Sequence, residues 1–140
     1  MMSMKKLMIL LCGFCIIFSQ SLSCYSMSNK SAIDDIKYEY YNVIKKNLSK
    51  YYLQTKTNND SGTSEISKVY SDNGYIKFIS RSRTSNSGKY IEEVYITDNG
   101  NKFLYTEEHV KAKVKQKRFY YNSCGDLIRY IDENGRQSDY

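Results

Sequence analysis

Three sets of side chains in this sequence could carry chemistry. His109 is the only histidine, and Glu107, Glu108 and the more distant Asp126 flank it. A histidine beside carboxylates can act as a general base or hold one metal ion. Zinc would need further ligands from Cys124 or the glutamates, and the chain has no H-x-x-x-H motif and no pair of C-x-x-C motifs. The expectation is therefore an exposed histidine at a strand connection, with no metal and no cofactor. Glu92 and Glu93 are adjacent on an extended segment, so they point to opposite faces and cannot form a carboxylate pair. A glycine-rich phosphate loop and a serine nucleophile elbow are both absent from the sequence. A protein that is not an enzyme is expected.

The second set is Lys111, Lys113, Lys115 and Lys117, followed by Arg118. On a strand, alternate residues share a face, so four ammonium groups would line up about 7 Å apart. Val110, Ala112, Val114 and Gln116 would take the opposite face, and beyond them Phe119 and Tyr121 would join the lysines. Such a ladder edged by aromatics suits an anionic envelope polymer, such as lipopolysaccharide or teichoic acid, or a lipid headgroup. A solvated face whose lysines guard the sheet against edge pairing is the plain alternative. Arg81 and Arg83 repeat the pattern weakly.

The third set is the cysteines, and their meaning depends on the first 24 residues. Lys5 and Lys6 form a basic head, Leu7 to Phe18 is an unbroken apolar run, and Ser19 to Ser23 is mostly small and polar before Cys24. This is the order of a secretion signal. The apolar run is about a dozen residues, whereas spanning a membrane takes roughly 20. Residues 1–23 are therefore expected to be a removed signal peptide, 24–30 a tether and 31–140 one domain. Ser21 and Ser23 suit ordinary signal peptidase. Cys24 also stands where a bacterial lipoprotein carries its acyl anchor, although Ser21 and Leu22 are in the reverse of the usual order and the apolar run stops five residues short. A membrane-anchored lipoprotein and a periplasmic or secreted protein both remain open. Cys12 and Cys15 would leave with the signal, so Cys24 and Cys124 form the candidate disulfide of an oxidising compartment.

About 115 residues then remain, enough for one core. Without Lys5 and Lys6, 19 basic side chains face 15 acidic ones, a net charge near +4. That balance is too mild to point to nucleic acid, and export argues against it too. Tyrosine occurs 15 times and proline and tryptophan never, a composition suited to half-buried sheet faces.

The elements expected to position these groups begin with a helix capped by Ser31, with Asp34 and Asp35 in its first turn. Its apolar stripe is Ile33, Ile36, Tyr40, Val43, Ile44, Leu48 and Tyr51. Residues 55–63 read as a polar loop. The period then changes to two, predicting about six strands: 65–70, 75–83, 89–97, 102–107, one long strand over 110–121, and 126–131, with the ordered part ending at Asp132–Gly135. Three Asn-Gly pairs beside Tyr- and Ile-rich runs point to hairpins. The predicted architecture is α+β, an N-terminal amphipathic helix packed on an antiparallel meander.

The stretch Arg118 to Asp132 (RFYYNSCGDLIRYID) resembles the C-terminal end of small, uncharacterised exported bacterial proteins and lipoproteins. There an aromatic strand, an Asn-Gly-type turn and a Leu-Ile-Arg-aromatic strand close an antiparallel sheet. It is also loosely similar to the hairpins of MORN-like and YD-repeat proteins. Cys124 stands where such turns usually carry Asn or Asp. The resemblance implies a fold and no activity. The function expected is a non-enzymatic envelope binding module, and the alternative is a secreted inhibitor or an immunity or adhesion accessory acting on one partner protein.

Overall fold

A computed structural model describes residues 27–140. The expected signal peptide and Cys24 lie outside the described residues. The cap of helix α1 (Asn29–Tyr38) lies three residues earlier than the expected Ser31, because the Ser28 hydroxyl accepts the Ser31 backbone N–H at 3.2 Å. Asp34 and Asp35 therefore fall beyond the first turn. The helix continues as a π-helical stretch, Glu39–Ile44, where the Lys45 N–H donates to the Tyr40 carbonyl. A short turn α2 (Lys45–Asn47) and a 3₁₀ turn, Leu48–Lys50, end it. The wider π turn re-aims the apolar stripe. Ala32, Ile33, Ile36 and Ile44 are buried, with Tyr40 and Leu48 packed beside them.

Eight strands follow, each antiparallel to the one before: β1 (Tyr52–Asp60), β2 (Thr63–Asp72), β3 (Tyr75–Ser85), β4 (Gly88–Ile96), β5 (Lys102–Val110), β6 (Lys113–Tyr121), β7 (Leu127–Ile131) and β8 (Gln137–Asp139). The α+β meander stands, with three departures from the expected strands. The polar loop over 55–63 is mostly β1, an exposed edge strand that shows no apolar alternation because neither face is covered. The long strand over 110–121 is broken into a hairpin by a two-residue turn, Lys111-Ala112, in which Lys111 takes φ 56°. Order also continues past Gly135 into β8, which the Arg129 guanidinium ties to Asp139 through two hydrogen bonds of 2.6 and 2.8 Å.

Five aromatic side chains face one another across the sheet in register: Tyr70, Phe78, Tyr95, Phe103 and Tyr120. Their rings lie 4.3–6.0 Å apart, and Tyr40 of the π stretch meets Tyr95 and Phe103 edge-on. Aromatic pairs add about 0.5–1.5 kcal/mol each beyond buried area. This row, with Ile128, is the floor on which the helix packs. Four of the fifteen tyrosines, Tyr40, Tyr70, Tyr95 and Tyr120, serve this contact. Polar groups fix the helix as well: Asp35 accepts the side-chain amides of Asn99 at 2.9 Å and Asn101 at 2.7 Å. A smaller cluster, Val69, Ile79 and Val94 with Leu104, lies on the other face.

Three connections share one design. Thr97–Asn101, Asn122–Asp126 and Asp132–Arg136 each close with the first residue's N–H donating to the fifth residue's carbonyl, and the glycine N–H donating to the first residue's carbonyl. The glycine has φ of 77–89° in all three, the left-handed position that such turns reserve for it. The first residue's side chain accepts the fifth residue's N–H in each case. Cys124 therefore sits where Asn99 and Asn134 sit, and the turn keeps the same bonds.

Candidate binding face

Strand alternation divides the predicted cationic set. Lys113, Lys115 and Lys117 share the face of β6 that looks away from the helix, and Lys111 lies in the turn. Arg118 alternates to the helix side, opposite Tyr105. The four-rung ladder thus has three rungs on a strand. Phe119 joins the lysines as expected, whereas Val110 belongs to β5 and faces Lys113 across the pair.

Neighbouring strands then set what the lysines meet. Lys115 and Lys117 line a shallow depression of about 340 Å³ together with Tyr90, Glu92, Leu104, Thr106, Glu108 and Phe119. Leu104 and Phe119 supply its apolar floor; they are adjacent in the outer row that continues from Val94 to Tyr130. Acids interleave with the bases. Glu108 is directly opposite Lys115, Glu92 is opposite Arg81, and the Lys117 ammonium lies 3.5 Å from Glu133. Glu65 repeats this motif towards the β1 edge, pairing with Arg81 at 3.7 Å and Arg83 at 3.0 Å. The face is a mosaic of both signs around aromatic and aliphatic carbon. Tyr90 and Leu104 were invisible as site residues in the sequence, and Glu108 was singled out there only as a neighbour of His109, because only the register between hairpins brings these residues to the face of Lys115 and Lys117.

The histidine does meet a carboxylate. His109 Nε2 contacts Glu107 Oε1, while Tyr105 Oη and Gln116 Nε2 donate to Glu107 Oε2. The Tyr105 and His109 contacts hold the Glu107 carboxyl below its ordinary range. Burial, then the hydrogen bond to Glu107, raises the Tyr105 phenol well above the usual tyrosine range. Both oxygens of Glu107 are engaged, so this cluster braces β5 against β6 on the sheet's helix side. Among the described residues, no group of three or more His, Cys, Asp and Glu side chains is placed to hold a metal ion.

Cys124 is disulfide-bonded. The other end of the expected pair, and the lipidation expected at Cys24, lie outside the described residues. No described helix is long and apolar enough to cross a membrane. Comparison with protein-family models, curated proteins and solved structures found no match.

Proposed function

We propose that this chain is an exported, non-enzymatic binding module that contacts its partner through the outer face of β4–β6. The observation that carries the reading is the mosaic itself. An apolar and aromatic floor, Leu104, Phe119 and Tyr90, is rimmed by Lys115, Lys117, Glu92 and Glu108. Interfaces place aromatic anchors at the centre and charged groups at the rim. Carboxylates between the lysines favour a partner that also presents both signs, a protein surface, over a uniformly anionic polymer. The basic, apolar and small segments of residues 1–23 support export. The disulfide at Cys124 accords with export, since disulfides persist outside the reducing cytosol.

The anionic-polymer reading keeps one observation in its favour. Lys111 and Lys113 sit at the exposed β5–β6 tip and form no ion pair among the described residues. Charge reversals separate the two. Binding to purified host envelope fractions is measured at rising salt for the wild type, Lys115→Glu, Glu108→Lys and Phe119→Ala. A protein partner predicts that each variant weakens binding, with Phe119→Ala costing roughly tenfold or more. An anionic polymer predicts loss in Lys115→Glu and a gain in Glu108→Lys. Retention of wild-type binding by all three variants overturns this choice of face.

A further inference from the structure

We infer that the edge strand β1 pairs antiparallel with β1 of a second copy of this chain, centred on Thr57, so that two sheets join into one. The surface is a different one from the β4–β6 face, and the inference stands without that reading.

Strand β1 runs from Tyr52 to Asp60 in unbroken register with β2 and without a bulge. Among the described residues, no strand pairs with its other side. It contains no proline, its only cation is Lys56 and its only acid is Asp60. At the opposite margin, β8 offers three residues. A long edge without bulge or proline is a template for another strand.

The turn decides which backbone groups of β1 are free. Ser61 and Gly62 have φ of 44° and 81° and join Asp60 to Thr63 as a two-residue hairpin. The closing pair of such a hairpin exchanges both its hydrogen bonds, and bonded pairs then alternate with non-bonded ones along the ladder. Asp60, Asn58, Lys56, Gln54 and Tyr52 therefore bond to β2. The backbone groups of Leu53, Thr55, Thr57 and Asn59 face the open margin.

The side chains suit a second copy in one register. Identical strands paired antiparallel share a two-fold axis, and their bonded pairs must draw on those four odd-numbered residues. Centring the axis on Thr55 or Lys56 sets the two lysines diagonal or directly opposite to each other, which is repulsive. Centring it on Asn58 leaves only Thr57 and Asn59 to bond within the strands. Centring it on Thr57 makes three bonded pairs, Thr57 with Thr57 and Thr55 with Asn59 twice, for about six hydrogen bonds. Lys56 then stands diagonal to Asp60 of the second copy, on the same face and within reach of a long side chain. Symmetry repeats that contact. The axis is perpendicular to the sheet, so both copies present β4–β6 on the same side, and a repeated partner would meet two such faces at once.

The test is sedimentation equilibrium of the protein purified from its host, over a range of concentrations, paired with residue-resolved hydrogen exchange. The mass is expected to rise from one chain towards two. As it rises, the amides of Thr55, Thr57 and Asn59 gain protection, whereas those of Gln54, Lys56 and Asn58 are protected throughout by β2. Thr57→Pro removes an N–H that β2 does not use and should weaken association roughly tenfold or more. Proline also stiffens β1, so the exchange pattern of the unaltered protein decides on its own. Lys56→Asp and Asp60→Lys should each weaken association, and the two together should restore it. A one-chain mass at every concentration overturns the inference, and protection of the odd-numbered amides at that mass would mean that the edge is covered within a single chain. Association that leaves those amides unprotected overturns it too, because the copies then meet elsewhere.

Discussion

At the scale of single residues, Glu107 gathers three side-chain partners from β5 and β6 on the helix side of the sheet. It accepts from Tyr105, His109 and Gln116, and its carboxyl is held below the ordinary range by the first two. A carboxyl with a depressed folded pKa contributes stability above the unfolded value near 4.5, and that contribution disappears as the pH falls through the lower, folded value. Glu107→Ala is expected to cost about 1–2 kcal/mol at neutral pH, because three donors lose their acceptor yet keep partial access to water. The same variant should flatten the acid side of the stability curve. Urea titrations of both proteins from neutral pH down to acid would check this, and an unchanged acid limb would remove Glu107 from the account. The sequence placed His109 close to Glu107 and Glu108, but the two glutamates were equivalent there. Strand alternation gives Glu107 to the histidine and sends Glu108 to the outer face with Lys115.

At the scale of elements, the helix is held by the aromatic row beneath it and by one carboxylate. Asn101 is fully buried, and one of its amide protons goes to Asp35. Asp35→Ala strands that donor, at an expected cost of about 2 kcal/mol, and should loosen α1 before the sheet. Hydrogen exchange would show faster exchange in residues 29–38, with β4 and β5 still protected. Equal acceleration throughout would mean that helix and sheet open together. The helix and three of its buried anchors, Ile33, Ile36 and Ile44, were legible because apolar spacing of three and four survives any environment. The π turn was not, since it answers to the aromatic floor. Strands β1 and β8 escaped notice for the opposite reason: TKTNND and QSD carry no apolar side to reveal a period. The Lys111-Ala112 turn lacked the Gly or Asn that marks left-handed backbone, so one hairpin read as one long strand and a four-lysine ladder was expected where three lysines stand.

At the scale of the whole molecule, tyrosine links composition to pH tolerance. Tyr95 is nearly inaccessible, and burial, with Glu93 nearby, pushes its phenol far above the usual range. Burial raises Tyr40 and Tyr120 as well. Groups whose folded pKa is raised stabilise the fold fully below the unfolded value of about 10 and lose that contribution as the pH climbs through the folded values. The protein should therefore hold its tertiary structure to about pH 10 and then unfold cooperatively. Tyrosinate absorbance should appear in two stages, exposed rings first and the aromatic row only with loss of near-ultraviolet circular dichroism. Gradual ionisation of all tyrosines with the structure intact would contradict the packing described here.

Every strand of the sheet bonds only to its neighbours along the chain, and three of the seven connections are the same five-residue device. No strand must be threaded between two others. A lineage could accrete or shed a hairpin at either margin by duplicating or deleting a short stretch of gene, without rewiring what is left. Relatives of this protein should then differ in how many strands they carry while keeping the helix and the five rings on which it rests.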